Sequence, residues 1–568
     1  MLHKLPLFTA LFMAVHFVLP GQTTGPLLWS QSYQRPGSAG IGTPPLESYT
    51  DMKELSSGSI IAVGNAAGLN GVSYSDAMVR KINAGTGSII SENYIDYYGG
   101  TRNDVAVKVL VAEPYIYIIG TAEYSVSPYD KDIFIIKKDT SLNTIWSYGY
   151  NNTGNPNDMA VDAGLDMFGN IYVLGNTTRT ATGADIVLLK LDPNGTTLFT
   201  KFYSSTGNYT DMAKALAVEP NGICNITGYY TSATLGSRLL ALKVWSNGVQ
   251  LWVKYHDVTS GAIQPDEGSA VSYDPSTNDM FICGKGMNSL GNYDWVLVRF
   301  SGSDGTKVWY TKFAGSNNSN DAGIKVIYES GELYTCGYIS TSVSGVVSQN
   351  IQLRKLKSVN GSAIWTKTYN FLNGTSGASV ENVTSMILSP AGNIYLGGTV
   401  SLPTPSSYDL YHLVLNYNSA GIQQWAHMQP TSSFSSFQGL DVNALVYSAD
   451  ENAVYAGGFK WSTMSLISYS TLLKLGPSFI HAPVAEKSDL ITHSIVCYPN
   501  PAINELHLKQ PATAAGTLLL YDLNGKLILQ HYLTDENNTI DIGALSPGLY
   551  IAKYIGNDTS ETFRFVKQ

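Results

Sequence analysis

The chain has 568 residues, a formal net charge of −9 and only 14% charged residues. The charged fraction lies well below the about one quarter that is usual in soluble domains. Lys and Arg form no basic stripe, so we predict no nucleic-acid partner. No stretch after residue 21 approaches the ~20 apolar residues of a transmembrane helix, so we predict no membrane span in the mature chain.

The first 21 residues have the pattern of a signal peptide. Lys4 gives a basic start, and an apolar run follows from Leu5 to Leu19. We place the cleavage site after Gly21 and therefore predict that the protein is exported.

A short apolar strand that ends in glycine occurs eight times along the chain. It reads IIAVG at Ile60–Gly64 and IYVLG at Ile171–Gly175, and successive glycines are 53 to 61 residues apart. The eight glycines are Gly64, Gly120, Gly175, Gly228, Gly284, Gly337, Gly398 and Gly458. A repeat of this length, made only of strands and turns, is typical of β-propeller blades.

Each repeat resolves into four predicted strands, which we name A, B, C and D. In the third repeat they are Met159–Leu165, Ile171–Gly175, Ile186–Leu191 and Leu198–Tyr203. No D strand follows the eighth C strand, whereas one unpartnered strand, Leu27–Tyr33, precedes the first repeat. We therefore predict an all-β fold with an eight-bladed β-propeller over residues 26–476. Closure by the N-terminal strand would remove an exposed sheet edge.

A carboxylate precedes the A strand in every repeat. One interpretation is a cation site or an anionic mouth of the central channel. The other is that each carboxylate caps backbone N–H groups where the D-to-A connection becomes a strand. A catalytic site needs one particular set of residues at one place in the chain. The presence of the carboxylate in every repeat therefore favours the capping interpretation. The eight residues are Glu47, Asp104, Asp158, Asp211, Asp266, Asp321, Glu381 and Asp441.

A basic residue recurs on the C strand, where we predict a solvated or inter-blade structural role instead of a substrate site. The series is Lys81, Lys137, Lys190, Lys243, Arg299, Lys355 and Lys474, with Asn416 in the seventh repeat. Cys283 and Cys336 occupy the same B-strand position in neighbouring repeats. Packed sheets lie about 10 Å apart, beyond disulfide reach, so we expect buried thiols.

Aromatic residues recur in the segments between strands B and C, which we predict to be long loops on one face of the disc, the long-loop face. Tight A–B and C–D turns would mark the other face. Rigid aromatic rings among Asn, Ser and Thr suit stacking on sugars or gripping a protein, and the alternative is that they pack their own loops. The predicted ligand-binding residues are Tyr129, Tyr230, Tyr293, Tyr408 and Trp461.

The pattern changes after the eighth repeat. Residues 477–495 contain two prolines and no repeat signal, which indicates a linker. Residues 496–568 alternate apolar and polar positions around an Asn-Gly turn. This pattern predicts a small Ig-like β-sandwich of about seven strands.

The last segment resembles the type A C-terminal sorting domain of the type IX (Por) secretion system. The resemblance rests on Tyr498, Pro499, Asn500, Pro501, Asp522, Gly525, Lys526, Gly548, Tyr550 and Lys567. It implies that the type IX secretion machinery is a partner. It also implies that the protein is secreted or lies on the outer surface of a didermal bacterium of the Bacteroidetes type.

The repeats resemble the SBBP-type β-propeller repeat. The resemblance is carried by YYGGTRNDVAV at Tyr97–Val107 and GNIYVLGNT at Gly169–Thr177. That family has no common reaction, so the resemblance implies a fold and a surface location, not an activity.

The sequence has no histidine cluster, Cys-x-x-Cys pair, nucleophile elbow or phosphate loop. We therefore predict no catalytic residue, no cofactor and no metal site. The predicted function is a secreted or cell-surface, non-catalytic propeller that binds a glycan or a protein through its long-loop face. The alternative is a secreted carbohydrate-active enzyme, a hydrolase or a lyase, on a propeller scaffold.

Overall fold

The protein is described here from a computed structural model. The structure describes residues 27–35, 47–68, 74–126, 129–153, 157–179, 183–205, 209–232, 234, 236–258, 265–316, 319–343, 346–371, 379–403, 408–430, 437–462, 467–476, 496–498, 502–509, 516–522, 527–533, 537–556 and 560–567. The predicted signal peptide and the predicted linker lie outside these ranges. The chain divides into two compact units, Met1–Ala482 and Pro483–Gln568.

Every long regular element in the described ranges is a β-strand. None of these residues belongs to a helix that is long and apolar enough to cross a membrane. The fold class predicted from the sequence, all-β, is therefore confirmed.

The described strands of the first unit follow in chain order. The first half comprises β1 (Leu27–Tyr33), β2 (Ser48–Glu54), β3 (Ser59–Ala67), β4 (Ser75–Asn83), β5 (Ile89–Ile95), β6 (Asp104–Ala112), β7 (Tyr115–Val126), β8 (Tyr129–Asp139), β9 (Thr144–Tyr150), β10 (Asp158–Leu165), β11 (Ile171–Arg179), β12 (Gly183–Leu191), β13 (Thr197–Tyr203), β14 (Asp211–Val218), β15 (Cys224–Ser232), β16 (Gly236–Val244) and β17 (Gln250–His256). The second half comprises β18 (Glu267–Tyr273), β19 (Met280–Met287), β20 (Tyr293–Phe300), β21 (Lys307–Phe313), β22 (Ala322–Glu329), β23 (Glu332–Val343), β24 (Val346–Lys357), β25 (Ala363–Tyr369), β26 (Val380–Leu388), β27 (Ile394–Pro403), β28 (Tyr408–Tyr417), β29 (Gln423–Pro430), β30 (Phe437–Ser448), β31 (Ala453–Ser462) and β32 (Ile467–Leu475).

These strands form antiparallel groups of four, which are consecutive in the chain except that β1 joins the last group. We name them sheet 1 (β2–β5), sheet 2 (β6–β9), sheet 3 (β10–β13), sheet 4 (β14–β17), sheet 5 (β18–β21), sheet 6 (β22–β25), sheet 7 (β26–β29) and sheet 8 (β30–β32 with β1). Sheets 6 and 7 are joined by a single parallel pair, Gln349 and Val380.

The first described strand completes the last sheet of the unit. β1 pairs antiparallel with β32, from Leu27 opposite Leu475 to Tyr33 opposite Ser470. The predicted pairing of the N-terminal strand with the eighth C strand is therefore confirmed.

The repeated glycine lies inside the B strand and not at its end. It is opposite the A-strand residue that precedes a one-residue bulge, as in the pairs Gly64–Tyr49 and Gly228–Ala213. A Cβ atom on Gly64 would lie 1.9 Å from the backbone oxygen of Ser48. The bulge brings this oxygen against the B strand, and only a residue without a Cβ atom fits there.

The apolar cores of the first unit lie between neighbouring sheets. Val63 and Val79 of sheet 1 share a cluster with Val109 and Ile118 of sheet 2. Sheet 8 packs on sheet 1 in the same way, since Leu472 shares a cluster with residues of β2 and β3. Adjacent sheets therefore bury their faces against each other, and this includes the first and the last.

The second unit contains seven described strands in two sheets. They are β33 (Val496–Tyr498), β34 (Glu505–Lys509), β35 (Gly516–Tyr521), β36 (Leu527–Leu533), β37 (Asn537–Asp541), β38 (Gly548–Gly556) and β39 (Ser560–Lys567). One sheet has the order β33-β34-β37 and the other has the order β36-β35-β38-β39. Leu506 and Ile540 of the first share a buried cluster with Leu518 and Phe565 of the second. The two sheets therefore enclose one apolar core, as in a β-sandwich.

Candidate functional site

The recurring carboxylates cap the connections between sheets. Asp158 Oδ2 accepts the backbone N–H of Asn152 at 2.6 Å, and Asp266 Oδ2 accepts that of Val258 at 2.8 Å. In seven of the repeats the donor is the second residue after the D strand that precedes the carboxylate in the chain. The donors are Arg35, Tyr97, Asn152, Ser205, Val258, Gly315 and Phe371. The capping interpretation is therefore confirmed.

These capping side chains are withdrawn from solvent. Asp158 and Glu381 are fully buried, and Asp211 is 3% exposed. Burial raises the pKa of Asp104 and of Glu381 to about 7, and those of Asp158, Asp266 and Asp441 to about 6. The alternative of an anionic channel mouth is wrong for the buried members, because they present no charge to solvent.

The recurring basic residues connect each sheet to the next. Lys137 Nζ of sheet 2 donates to Pro193 O in the C–D turn of sheet 3 at 2.8 Å, and Lys190 Nζ of sheet 3 donates to Ser246 O of sheet 4 at 3.0 Å. Lys81, Arg299 and Lys474 make the equivalent contact. Lys355 differs, since it pairs with Glu332 of its own sheet at 2.6 Å. The predicted structural role between repeats is therefore confirmed for the residues whose side chains bind a carbonyl of the next sheet.

The three described cysteines of the first unit carry free thiols. Cys224, Cys283 and Cys336 are all buried. Burial raises the pKa of Cys283 to about 12. The predicted buried thiols at Cys283 and Cys336 are therefore confirmed.

The predicted ligand-binding aromatics lie on strands, so their assignment to loops is wrong. The B and C strands run on beyond the glycine as long hairpins, which leaves short connections between them. Tyr230 belongs to β15 and stacks on Tyr255 with ring centroids 4.3 Å apart. Tyr293 begins β20, and Lys285 Nζ lies 4.7 Å from its ring centroid. Tyr129, Tyr408 and Trp461 also lie on strands, and their side chains are outside the described part of the structure.

A shallow groove of about 670 Å³ runs between β5 of sheet 1 and β8 and β9 of sheet 2. It is lined by Glu92, Asn93, Tyr94, Ile95, Asp96, Tyr97, Ile136, Lys138, Thr144 and Ser147. Lys138 Nζ crosses the groove floor and donates to Asn93 Oδ1 at 2.9 Å and to Thr144 Oγ1 at 2.8 Å. The groove therefore offers polar groups whose positions are held by contacts between the two sheets.

Three tyrosines, which we name the tyrosine patch, lie at the Tyr97 end of this groove. The rings of Tyr97 and Tyr98 meet edge to face with centroids 5.0 Å apart, and so do those of Tyr98 and Tyr124. Tyr98 also donates a hydrogen bond to Asp132. Tyr124 is 44% exposed, so the patch presents a fixed aromatic ring to solvent.

Three aspartates, which we name the acidic cluster, lie where sheet 1 meets sheet 2. One carboxylate oxygen from each of Asp76, Asp96 and Asp104 lies within 4.8 Å of the other two. Asp104 belongs to the predicted series of carboxylates, whereas Asp76 and Asp96 were not predicted. The sequence did contain a signal for Asp76, because in four repeats an aspartate lies five positions before the basic residue of the C strand. These aspartates are Asp76, Asp132, Asp185 and Asp294.

The structure describes part of the predicted sorting signal. Tyr550 donates its hydroxyl to Ser546 O at 2.8 Å and stacks on Phe565. Lys567 ends β39 and is buried, and Gly548 begins β38. Asp522 follows β35. The side chain of Tyr498 and the residues Pro499, Asn500, Pro501, Gly525 and Lys526 lie outside the described part of the structure.

The protein is an all-β chain, in which repeated four-stranded sheets are followed by a small unit of two sheets. Residues 496–568 match the family described as the secretion system C-terminal sorting domain. This match confirms the type IX sorting domain predicted from the sequence. It implies interaction with the type IX secretion machinery and a secreted or cell-surface location in a Bacteroidetes-type bacterium.

Several solved structures are similar to the chain. A europium-containing methanol dehydrogenase has 10% identity and a TM-score of 0.40, covering 79% of this chain and 93% of its own. The dihydro-heme d1 dehydrogenase NirN has 11% identity and a TM-score of 0.40, covering 81% and 82%. The polysaccharide lyase Uly1 has 12% identity and a TM-score of 0.35, covering 78% and 94%. No curated protein matches the sequence.

Proposed function

We propose that residues 26–476 form an eight-bladed β-propeller of the SBBP repeat type, closed by β1. In this proposal a signal peptide at 1–21 precedes the propeller, and a linker at 477–495 joins it to the Ig-like sorting domain. The pairing of β1 with β32 supports closure. So does Lys474 Nζ, which donates to Ala84 O at 3.0 Å and repeats between sheets 8 and 1 the contact made between sheets 3 and 4.

We propose that this exported propeller is a non-catalytic binding protein for a glycan or a protein ligand. The observation that carries the proposal is the exposed ring of Tyr124, held in the tyrosine patch at the end of a polar groove. A rigid aromatic ring beside fixed hydrogen-bonding groups suits the apolar face of a sugar. Tyr129, Tyr230, Tyr293, Tyr408 and Trp461 would extend this binding surface to other sheets.

The recurring charged residues support a non-catalytic function. Asp158 and Asp266 cap backbone N–H groups, and Lys137 and Lys190 bind turn carbonyls. Their hydrogen-bonding capacity therefore holds the sheets together, and it is not presented to a substrate.

The proposal is tested by Tyr124→Ala in the full chain, assayed on a glycan array and then by titration with the glycan that binds. We expect about a tenfold loss of affinity, which corresponds to about 1.4 kcal/mol, with little change in thermal stability. The matched control is Tyr310→Ala. Tyr310 is also a tyrosine on a strand and is 45% exposed, but it lies on β21, the D strand of sheet 5, and not in the tyrosine patch.

Two results would contradict the proposed function. If Tyr310→Ala weakens binding as much as Tyr124→Ala, the tyrosine patch is not the binding surface. Turnover of a polysaccharide by the purified chain would favour the alternative, a secreted carbohydrate-active enzyme.

A further inference from the structure

We propose that the acidic cluster between sheets 1 and 2 is a calcium site, with Asp76, Asp96 and Asp104 as its protein ligands. Three different segments bring the residues together. Asp76 lies on β4, Asp96 directly follows β5, and Asp104 begins β6. Ca²⁺ binds oxygen ligands at about 2.3–2.6 Å, so two oxygens of one ion are at most about 5 Å apart. The mutual separation of the three carboxylate oxygens, within 4.8 Å, satisfies this limit.

Two buried oxygen atoms of the cluster are without hydrogen-bond partners. Asp76 and Asp104 are 3% and 1% exposed, and the Oδ1 atom of each accepts no hydrogen bond. Their Oδ2 atoms are occupied, that of Asp76 by Arg35 and that of Asp104 by the backbone N–H of Tyr97 at 2.8 Å. A buried carboxylate oxygen without a partner is costly, and a bound cation would remove that cost.

The charges of the cluster also suit a divalent cation. Asp76 pairs with Arg35, which leaves the charges of Asp96 and Asp104 without an ion-pair partner in the cluster. Asp96 is exposed, so an ion can enter from solvent and retain water on that side. All three ligands are hard oxygen donors, and Ca²⁺ accepts such irregular sets more readily than Mg²⁺ does.

The junction between sheets 4 and 5 provides a matched comparison within the same chain. Asp266 has the same capping position as Asp104, but Arg238 replaces the aspartate at the position of Asp76. Both oxygens of Asp266 accept hydrogen bonds, from the N–H groups of Val258 and Met287, each at 2.8 Å. This junction therefore has an arginine where the first junction has a second carboxylate, and no carboxylate oxygen of Asp266 is left for an ion.

The test is calcium titration calorimetry and thermal unfolding of the full chain, with CaCl₂ compared with EDTA. We expect CaCl₂ to raise the unfolding midpoint by about 5 °C, because a ligand that binds only the folded state stabilises it. Asp104→Asn should abolish this increase and remove one bound Ca²⁺ per chain. The control Asp266→Asn should lower the midpoint in EDTA yet retain the full response to CaCl₂.

A variant of the exposed ligand keeps the test decisive if Asp104→Asn does not fold. Asp96→Asn alters a solvent-exposed side chain and should weaken calcium binding at least about tenfold. The proposal is overturned if the wild-type chain shows no heat of calcium binding. It is also overturned if Asp96→Asn binds Ca²⁺ as tightly as wild type, or if Asp266→Asn loses the response to CaCl₂ as Asp104→Asn does.

Discussion

Two junctions of the first unit use the same contacts, although one of them adjoins a sheet that is assembled from both ends of the unit. Between sheets 2 and 3, Lys137 binds Pro193 O and Asp158 caps the N–H of Asn152. Between sheets 8 and 1, which we name the seam, Lys474 binds Ala84 O and Glu47 caps the N–H of Arg35 at 2.9 Å. The repeated contacts therefore also form where β1 and β32 of the same sheet come from opposite ends of the unit.

The seam also contains a buried ionic network centred on Arg80 of sheet 1. The Arg80 side chain is fully buried and donates to Glu47 Oε1 at 2.9 Å, to Glu92 Oε2 at 2.8 Å and to Ser470 Oγ of sheet 8 at 2.6 Å. At the junction of sheets 2 and 3, Asp158 also caps a backbone N–H, and the ion pair that crosses this junction, Lys108 Nζ to Asp162 Oδ1 at 3.1 Å, is partly exposed. We infer that this network strengthens the junction next to sheet 8, the sheet whose strands β1 and β32 are not joined in the chain.

The largest effect is expected from deleting residues 27–33. This deletion removes β1 and leaves β32 as an open edge, and open edges pair with other chains. We expect the unfolding midpoint to fall by more than about 10 °C, with self-association visible in size-exclusion chromatography. Deleting only residues 1–26 is the control, because β1 then remains intact. A 27–33 deletion that melts like this control would mean that the seam does not need β1.

A smaller loss is expected for Arg80→Met, which leaves Glu47 buried without its cationic partner. Breaking a buried ion pair in this way costs roughly 3–5 kcal/mol, to be measured by urea unfolding. The matched variant Lys137→Met removes a hydrogen bond to Pro193 O and a cation–π contact with Tyr115, but leaves no buried charge unpaired, so roughly 1 kcal/mol is expected. Equal losses in the two variants would contradict a special role for the Arg80 network.

The smallest expected effect is on the pH dependence of stability. It tests the capping carboxylate Glu381, in contrast to Glu47 of the seam, which is ion-paired with Arg80. Burial raises the pKa of Glu381 to about 7, so the folded state holds a proton that the unfolded state releases between about pH 4.5 and 7. This contribution to stability is therefore lost as the pH rises through 7. From pH 6 to 8, wild type should lose about 1 kcal/mol more unfolding free energy than Glu381→Gln.

The comparison with Glu381→Gln is made by urea unfolding at both pH values. Both proteins contain the same buried histidines, such as His412, whose pKa burial lowers to about 4. Their opposing contribution to the pH dependence of stability therefore cancels in the difference between the two proteins. Identical pH dependence in the two proteins would show that Glu381 is already ionised in the folded state.

Local sequence pattern predicted correctly the features of the fold that repeat along the chain. The strand order, the capping carboxylates and the lysines that cross between sheets all recur with the repeat. The loop assignment of Tyr230 and Tyr293 failed, because strand length depends on pairing with the neighbouring strand and not on local residue preference. Asp76 and Asp96 were missed because each lies in a different strand or connection from Asp104.

The sequence alone determined the local structure of each repeat, which has four strands and a carboxylate that caps the connection from the preceding repeat. The bulge opposite the glycine appeared only in the structure. It also determined the sorting domain, because that signal is a local pattern. Only the tertiary structure decided what meets at each junction. Arg80 reaches Ser470, which is 390 residues away in the chain, and Asp76 reaches Asp104 across two sheets. Such contacts between polar side chains follow from the packing of neighbouring sheets, and no short-range pattern specifies them.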